Sequence, residues 1–157
     1  MAAARSAAAD SEAGVPDAMP RRPCLLTVLP PPPLPAATNL KNEDTLGVSD
    51  PYVKFSLEQD NTFRDKDYGD QKSTTKEKDL NPVWGETFHF NIPTLKNMEL
   101  TCKVMDKDLT SDDKMGKCKI ELETLGLSET PMPIEEKVYN RVFGEDSYLH
   151  LHLSYAD

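Results

Sequence analysis

Short runs in which apolar and polar residues alternate constrain this chain most. In residues 52–57, Val53, Phe55 and Leu57 share one face while Lys54 and Ser56 take the other. Residues 84–92 set Phe88, Phe90 and Ile92 against Thr87, His89 and Asn91. Residues 98–105 repeat the pattern with Leu100, Cys102 and Val104, and residues 148–155 with Leu149, Leu151 and Leu153. A period of two is that of a strand with one buried face. Residues 24–29 and 115–122 are further strand candidates, as is the polar, threonine-containing stretch 72–78. Residues 58–71 are polar and turn-rich and read as a loop, and Asn81-Pro82 marks a turn. Between Ile134 and Val142 the apolar spacing fits a helix and a short strand equally. Many short strands with turns between them imply an all-β fold, an eight-stranded antiparallel β-sandwich.

Composition narrows the function. The 157 residues fit one domain, residues 23–157, behind an alanine-rich and acid-containing tail at 1–22 that reads as disordered. That tail lacks the continuous apolar core of a signal peptide. No apolar run approaches the roughly 18 residues of a membrane-spanning helix. Cys24, Cys102 and Cys118 are odd in number and widely spaced, and read as buried reduced thiols. With no Asn-x-Ser/Thr site, this points to a cytoplasmic protein. The net charge of −9 argues against nucleic-acid binding and against constitutive attachment to an anionic membrane. No Ser-His-Asp, Cys-His or phosphate-loop arrangement stands out, so neither an enzyme nor a small-molecule substrate is expected.

Acidic residues gather in two places. Asp44 and Asp50 flank residues 44–50, and Asp106 and Asp108 stand at the end of the apolar run 98–105. Asp-x-Asp at a strand end puts both side chains on one side. In a sandwich, loops far apart in sequence cluster at one end. Carboxylates converging there repel one another unless a hard cation such as calcium, with its six to eight oxygen ligands, fills the gap. An EF-hand is excluded, because Ser111 stands where that loop needs glycine and Lys117 where it needs glutamate.

Three segments, Leu46-Gly47-Val48-Ser49-Asp50-Pro51-Tyr52-Val53-Lys54, Leu80-Asn81-Pro82-Val83-Trp84-Gly85-Glu86-Thr87-Phe88-His89-Phe90 and Val104-Met105-Asp106-Lys107-Asp108, occur in an order that resembles a C2 domain. This is the calcium- and phospholipid-binding sandwich of protein kinase C, the synaptotagmins and small stand-alone plant proteins. The ending Leu149-His150-Leu151-His152-Leu153-Ser154-Tyr155 is similar to the closing strand of the phospholipase-like (type II) topology. The resemblance implies that Asp44, Asp50, Asp106 and Asp108 ligate Ca²⁺. Counted from Asp106 the third loop is one residue shorter than the family pattern; counted back from Gly116, Asp113 fills the last ligand position, with Asp112 or Ser111 at a weaker site. The resemblance also places Leu46 and Leu109 at loop tips and makes Lys72, Lys76 and Lys78 candidates for anionic headgroups, diluted by Glu77 and Asp79.

The function expected is calcium-dependent binding to anionic phospholipid membranes, peripheral and triggered by a rise in calcium. The alternative is a calcium-independent scaffold that meets a protein partner through a sheet face or the polyproline stretch 30–35, which otherwise reads as a loop insertion. Trp84 reads as core packing, and His150 and His152 as the solvent face of the last strand.

Overall fold

A computed structural model describes residues 24–31, 36–140 and 145–157. The expected tail, most of the proline stretch and Val142 lie outside them. Eight strands of five residues or more, and one two-residue strand, form two antiparallel sheets. The strands are β1 (Cys24–Leu29), β2 (Ala37–Thr38), β3 (Pro51–Gln59), β4 (Lys66–Lys72), β5 (Phe88–Ile92), β6 (Met98–Asp106), β7 (Asp113–Glu121), β8 (Met132–Val138) and β9 (Ser147–Ala156).

One sheet runs β4-β3-β6-β7. In the other, β9 has β8 along one side and β1 and β2, end to end, along its other side, with β5 outside β1. Between Leu29 and Ala37 the chain advances eight residues while its partner on β9 moves only from His152 to Leu149. β1 and β2 therefore occupy one strand position beside β9, and residues 32–35 between them lie outside the described residues.

The alternating residues meet between the sheets. Val53, Phe55, Leu57, Leu100, Cys102 and Val104 face Leu26, Val28, Phe88, Phe90, Leu149 and Leu153 in one buried cluster. The rings of Phe55 and Phe88 join the two layers, 5.0 Å between centroids. Burying each such side chain contributes about 1.5–3 kcal/mol. Trp84 is buried and donates its indole N–H to the Pro51 carbonyl at 3.3 Å, a packing role as expected. Cys102 and Cys118 are buried, free and opposite one another in the β6–β7 register, a proximity their separation in sequence does not reveal.

Three sequence expectations are corrected. Residues 58–71 are not all loop, because Lys66–Lys72 form the edge strand β4. It buries no side chain fully and so shows no alternation; the ladder to β3, the packing of Tyr68 on the core and the Lys54–Asp70 ion pair hold it. The strand expected over 72–78 keeps only Lys72. There the Ser73 hydroxyl accepts the Val53 N–H at 2.9 Å and ends the ladder. The alternation from Trp84 becomes strand only at Phe88, after Gly85 at φ +65° turns the chain. Of the ambiguous segment, Ile134 and Val138 lie on a strand, β8, Asn140 lies beyond it, and Val142 is outside the described residues.

Beyond β8, Tyr139 crosses to the other sheet and exchanges two backbone hydrogen bonds with Lys117, at 3.0 and 2.8 Å. This closes one edge of the sandwich. It passes directly over Gly116, where a Cβ would lie 2.5 Å from Val138 Cγ1 and 3.0 Å from the Tyr139 carbonyl oxygen. Gly116→Ala is expected to cost about 1–3 kcal/mol through overpacking, read as a lower urea midpoint with unchanged slope.

Candidate metal centre

The inward series on β6 runs Met98, Leu100, Cys102, Val104 and then Asp106, every one buried. The strand period thus drives a carboxylate into a position the pattern reserves for apolar side chains. Asp106 is 1% exposed. Its Oδ1 accepts the Asp50 N–H at 2.7 Å, and its Oδ2 has no hydrogen-bond partner. In the ladder Pro51 lies on one side of Asp106 and Asp113 on the other. The mouth of the sandwich therefore brings together the end of loop 1 (residues 41–50) and both ends of loop 3 (residues 107–112).

Loop 1 is folded around Asn42, a residue that no motif singled out. The Asn42 amide donates to the carbonyls of Asp44 and Gly47, at 3.2 and 2.8 Å. Its Oδ1 accepts both the N–H and the hydroxyl of Ser49, at 2.9 and 3.0 Å. The Ser49 hydroxyl, fully buried, in turn accepts the Glu43 N–H at 2.9 Å. Gly47 turns the loop at φ +134°. Asp50 ties the loops together: its backbone bonds Asp106 and Lys107, and its Oδ1 accepts the Lys78 N–H at 2.7 Å.

The electrostatics show convergence. Lost hydration, then the charges of Asp106, Asp50 and Asp113, raises the Asp44 carboxyl above its ordinary range. Lost hydration, then Asp106, Asp44, Asp113 and Asp112, does the same to Asp108. Burial, then Asp106 and Asp113, raises Glu43, a sixth acid of the cluster that the sequence reading missed. Among the described residues no three His, Cys, Asp or Glu side chains stand close enough together to hold a metal ion as they are. The donor set nonetheless fits a hard cation, since a buried oxygen without a hydrogen-bond partner among several carboxylates is costly to leave alone.

Asp112 behaves differently. Its carboxylate accepts the Tyr52 hydroxyl at 2.7 Å, the Lys107 ammonium at 3.0 Å and the Asp108 N–H at 3.2 Å. The Tyr52 and Lys107 hydrogen bonds hold it down at about 2. Tyr52 is pushed up to about 12, by burial first and then by Asp112. Asp112 therefore braces loop 3 against β3 with its oxygens already engaged.

Leu46 and Leu109 are fully exposed. Lys72 stands on β4, with its ammonium 5.9 Å from the Tyr52 ring centroid, while Lys76 and Lys78 sit in the following loop, bonded through their backbones to Pro51 and Asp50. The three lysines share no strand, but two of them flank the aspartates. On the opposite sheet, His150 lies 3.2 Å from the Thr38 hydroxyl and 3.3 Å from Glu135, on the outer face as expected.

The family model for the C2 domain matches residues 35–138. The chain belongs to the C2 domain family. It is 46% identical to synaptotagmin-7 of Mus musculus over 84 residues, which is 52% of this chain and 20% of that protein. It is 36% identical over 89 residues to a calcium-dependent lipid-binding protein of Arabidopsis thaliana, covering 57% of this chain and 16% of that one. The chain thus spans a fifth or less of these relatives. In fold it is similar to the C2A domain of plant extended synaptotagmin 1, with a TM-score of 0.68, 24% identity and coverage of 87% of this chain and 96% of that one. It is also similar to human GIVD cytosolic phospholipase A2, with a TM-score of 0.65 at 25% identity, over 87% of this C2 chain and 17% of that one.

Two measurements probe the site without any metal. Asn42→Ala removes the acceptor of the buried Ser49 N–H and hydroxyl and is expected to cost about 1–2 kcal/mol in urea unfolding. The raised Asp108 carboxyl means that the folded state holds more protons than the unfolded one just above the ordinary carboxyl range, so its charge lowers stability as pH rises through that window. In chelator, the melting temperature of Asp108→Asn should gain on wild type between about pH 4 and 6, the range in which carboxylates ionise.

Proposed function

We propose that this C2 domain binds anionic phospholipid surfaces when calcium rises, with Asp44, Asp50, Asp106, Asp108 and Asp113 as ligands. The observation that carries the reading is the buried Asp106 carboxylate, tied by one oxygen to loop 1 and left with the other unbonded among acids from both loops. The match to the C2 family and to a relative named for calcium-dependent lipid binding supports it.

Each residue has a separable task. Asp106 and Asp50 form the rigid floor, because both are locked by backbone hydrogen bonds. Asp44 and Asp108, half-buried, are raised first by lost hydration and then by neighbouring acids. Asp113 enters from the start of β7. Asp112 keeps loop 3 in place and is assigned a bracing role in place of ligation. Calcium, when bound, supplies positive charge and open coordination positions that suit phosphate or carboxylate oxygens of a lipid headgroup. Up to five carboxylate charges repel an anionic surface, and each unit of charge there is worth about 1 kcal/mol, so neutralising them is enough to switch attachment. Lys76 and Lys78 flank the aspartates and suit anionic headgroups, with Lys72 nearby. Leu46 and Leu109, fully exposed, would each contribute about 1–2 kcal/mol on entering an apolar interface.

The role is that of a binding module and not of an enzyme. Cys102 is held protonated by its hydrogen bond with Cys118 and by burial, which suits packing and not nucleophilic attack. No helix of the described residues is long and apolar enough to cross a membrane, so attachment would be peripheral.

Sedimentation with phosphatidylserine vesicles tests the reading. Wild type should pellet in calcium and stay in the supernatant in chelator, and Asp106→Asn with Asp108→Asn should lose the calcium-dependent fraction. Leu46→Ala with Leu109→Ala should weaken it about tenfold or more, the loss expected for two partly inserted leucines. Equal pelleting in calcium and chelator overturns the calcium switch.

A further inference from the structure

The two acids of loop 1 are held in different ways. Asp50 is fixed from outside the loop: its N–H bonds Asp106, its carbonyl accepts the Lys107 N–H and its Oδ1 accepts the Lys78 N–H. Asp44 has no such tie. Thr45, Leu46, Gly47 and Val48, which follow it, are all exposed, so no core packing pins the stretch beside it. Among the described residues, the hydrogen bonds of residues 43–49 stay inside loop 1, and all but the bond joining Glu43 to Ser49 run to the Asn42 side chain.

The Asn42 amide is used to its full capacity. It donates to the carbonyls of Asp44 and Gly47, and its oxygen accepts the N–H and the hydroxyl of Ser49. An aspartate there could accept but not donate, and an alanine could do neither. None of these bonds uses a carboxylate oxygen, so Asp44 is placed through its backbone and keeps both side-chain oxygens for a cation. Holding Gly47 also bears on that carboxylate, because a Cβ at Gly47 would lie 3.9 Å from Asp44 Oδ2.

We propose that Asn42 is the positioning residue of the calcium site, which presets Asp44 by closing residues 43–49 on themselves. The proposal rests on the calcium reading above and adds what sets the affinity. When only a fraction of molecules has the binding conformation, the apparent Kd rises in inverse proportion to that fraction. With Asn42 in place, loop 1 already has the closed shape. Without it, the exposed residues 45–48 sample other shapes, and binding must select the closed one. The effect falls on one loop, while the sandwich core is left as it was.

The test joins calcium titration by calorimetry to hydrogen exchange in chelator, both on the full chain. Asn42→Ala should weaken calcium binding about tenfold or more, the factor expected when the closed loop falls to about a tenth of molecules. Ile120→Val is the control, a small loss of packing at a buried site near the far end of β7 from the mouth. Its calcium affinity should stay within about twofold of wild type, since the native state remains dominant. In chelator, the Glu43 amide of Asn42→Ala should exchange about tenfold or more faster than in wild type, although its Ser49 acceptor is still present. Calcium should restore its protection. Wild type that binds no calcium overturns the calcium reading and this proposal with it. Wild type that binds, with Asn42→Ala binding as tightly or keeping its Glu43 amide protected in chelator, overturns this proposal alone. Equal losses of affinity in Asn42→Ala and Ile120→Val do the same, because they would mark a general effect of stability.

Discussion

The hydrogen bond from the Asp50 N–H to the buried carboxylate of Asp106 joins the two acidic loops at one end of the sandwich. It spans 56 residues of sequence and connects the base of loop 1 to the inward row of β6. Without it, Asp106 would be a buried charge with neither oxygen bonded, a serious cost in a sandwich core. With it, one oxygen is satisfied and the other held ready. The sandwich is therefore destabilised at one end in a controlled way, and the ordinary hydrophobic packing of Phe55, Phe88 and their neighbours supports that cost from below.

Two adjacent acids, the last of loop 3 and the first of β7, show how environment separates like residues. Asp112 and Asp113 are neighbours of the same chemistry. Asp112 has Tyr52, Lys107 and a backbone N–H around it and is held ionised at about 2. Asp113 begins β7 opposite Asp106 and belongs to the acidic mouth. Loop 3 thus uses one of the two acids to brace β3 through Tyr52. Loop 1 uses Asn42 and Ser49 for the same purpose, with polar side chains taking the hydrogen bonds a ladder would otherwise provide.

Much of the architecture was legible in advance because burial leaves a periodic trace. The half-buried strands β3, β5, β6 and β9 all show an inward series of apolar residues. The edge strand β4 buries no side chain fully and has no such series, so it was read as loop, while the threonine-containing stretch beyond it looked like a strand and is not one. Among the acids, Asp44, Asp50, Asp106 and Asp108 stand out as two clusters in the sequence, and Asp113 is singled out only through the resemblance to the C2 pattern. Glu43, Asn42 and the Tyr52–Asp112 brace were not, because hydrogen bonding between loops has no period.

Sequence by itself determined the all-β class, the identity of the core residues and the family, since these rest on alternation and on three local motifs. Tertiary structure alone decided which acids converge and which one is diverted to Tyr52. Those facts depend on register across strands, and register is set by the packing of the whole sheet.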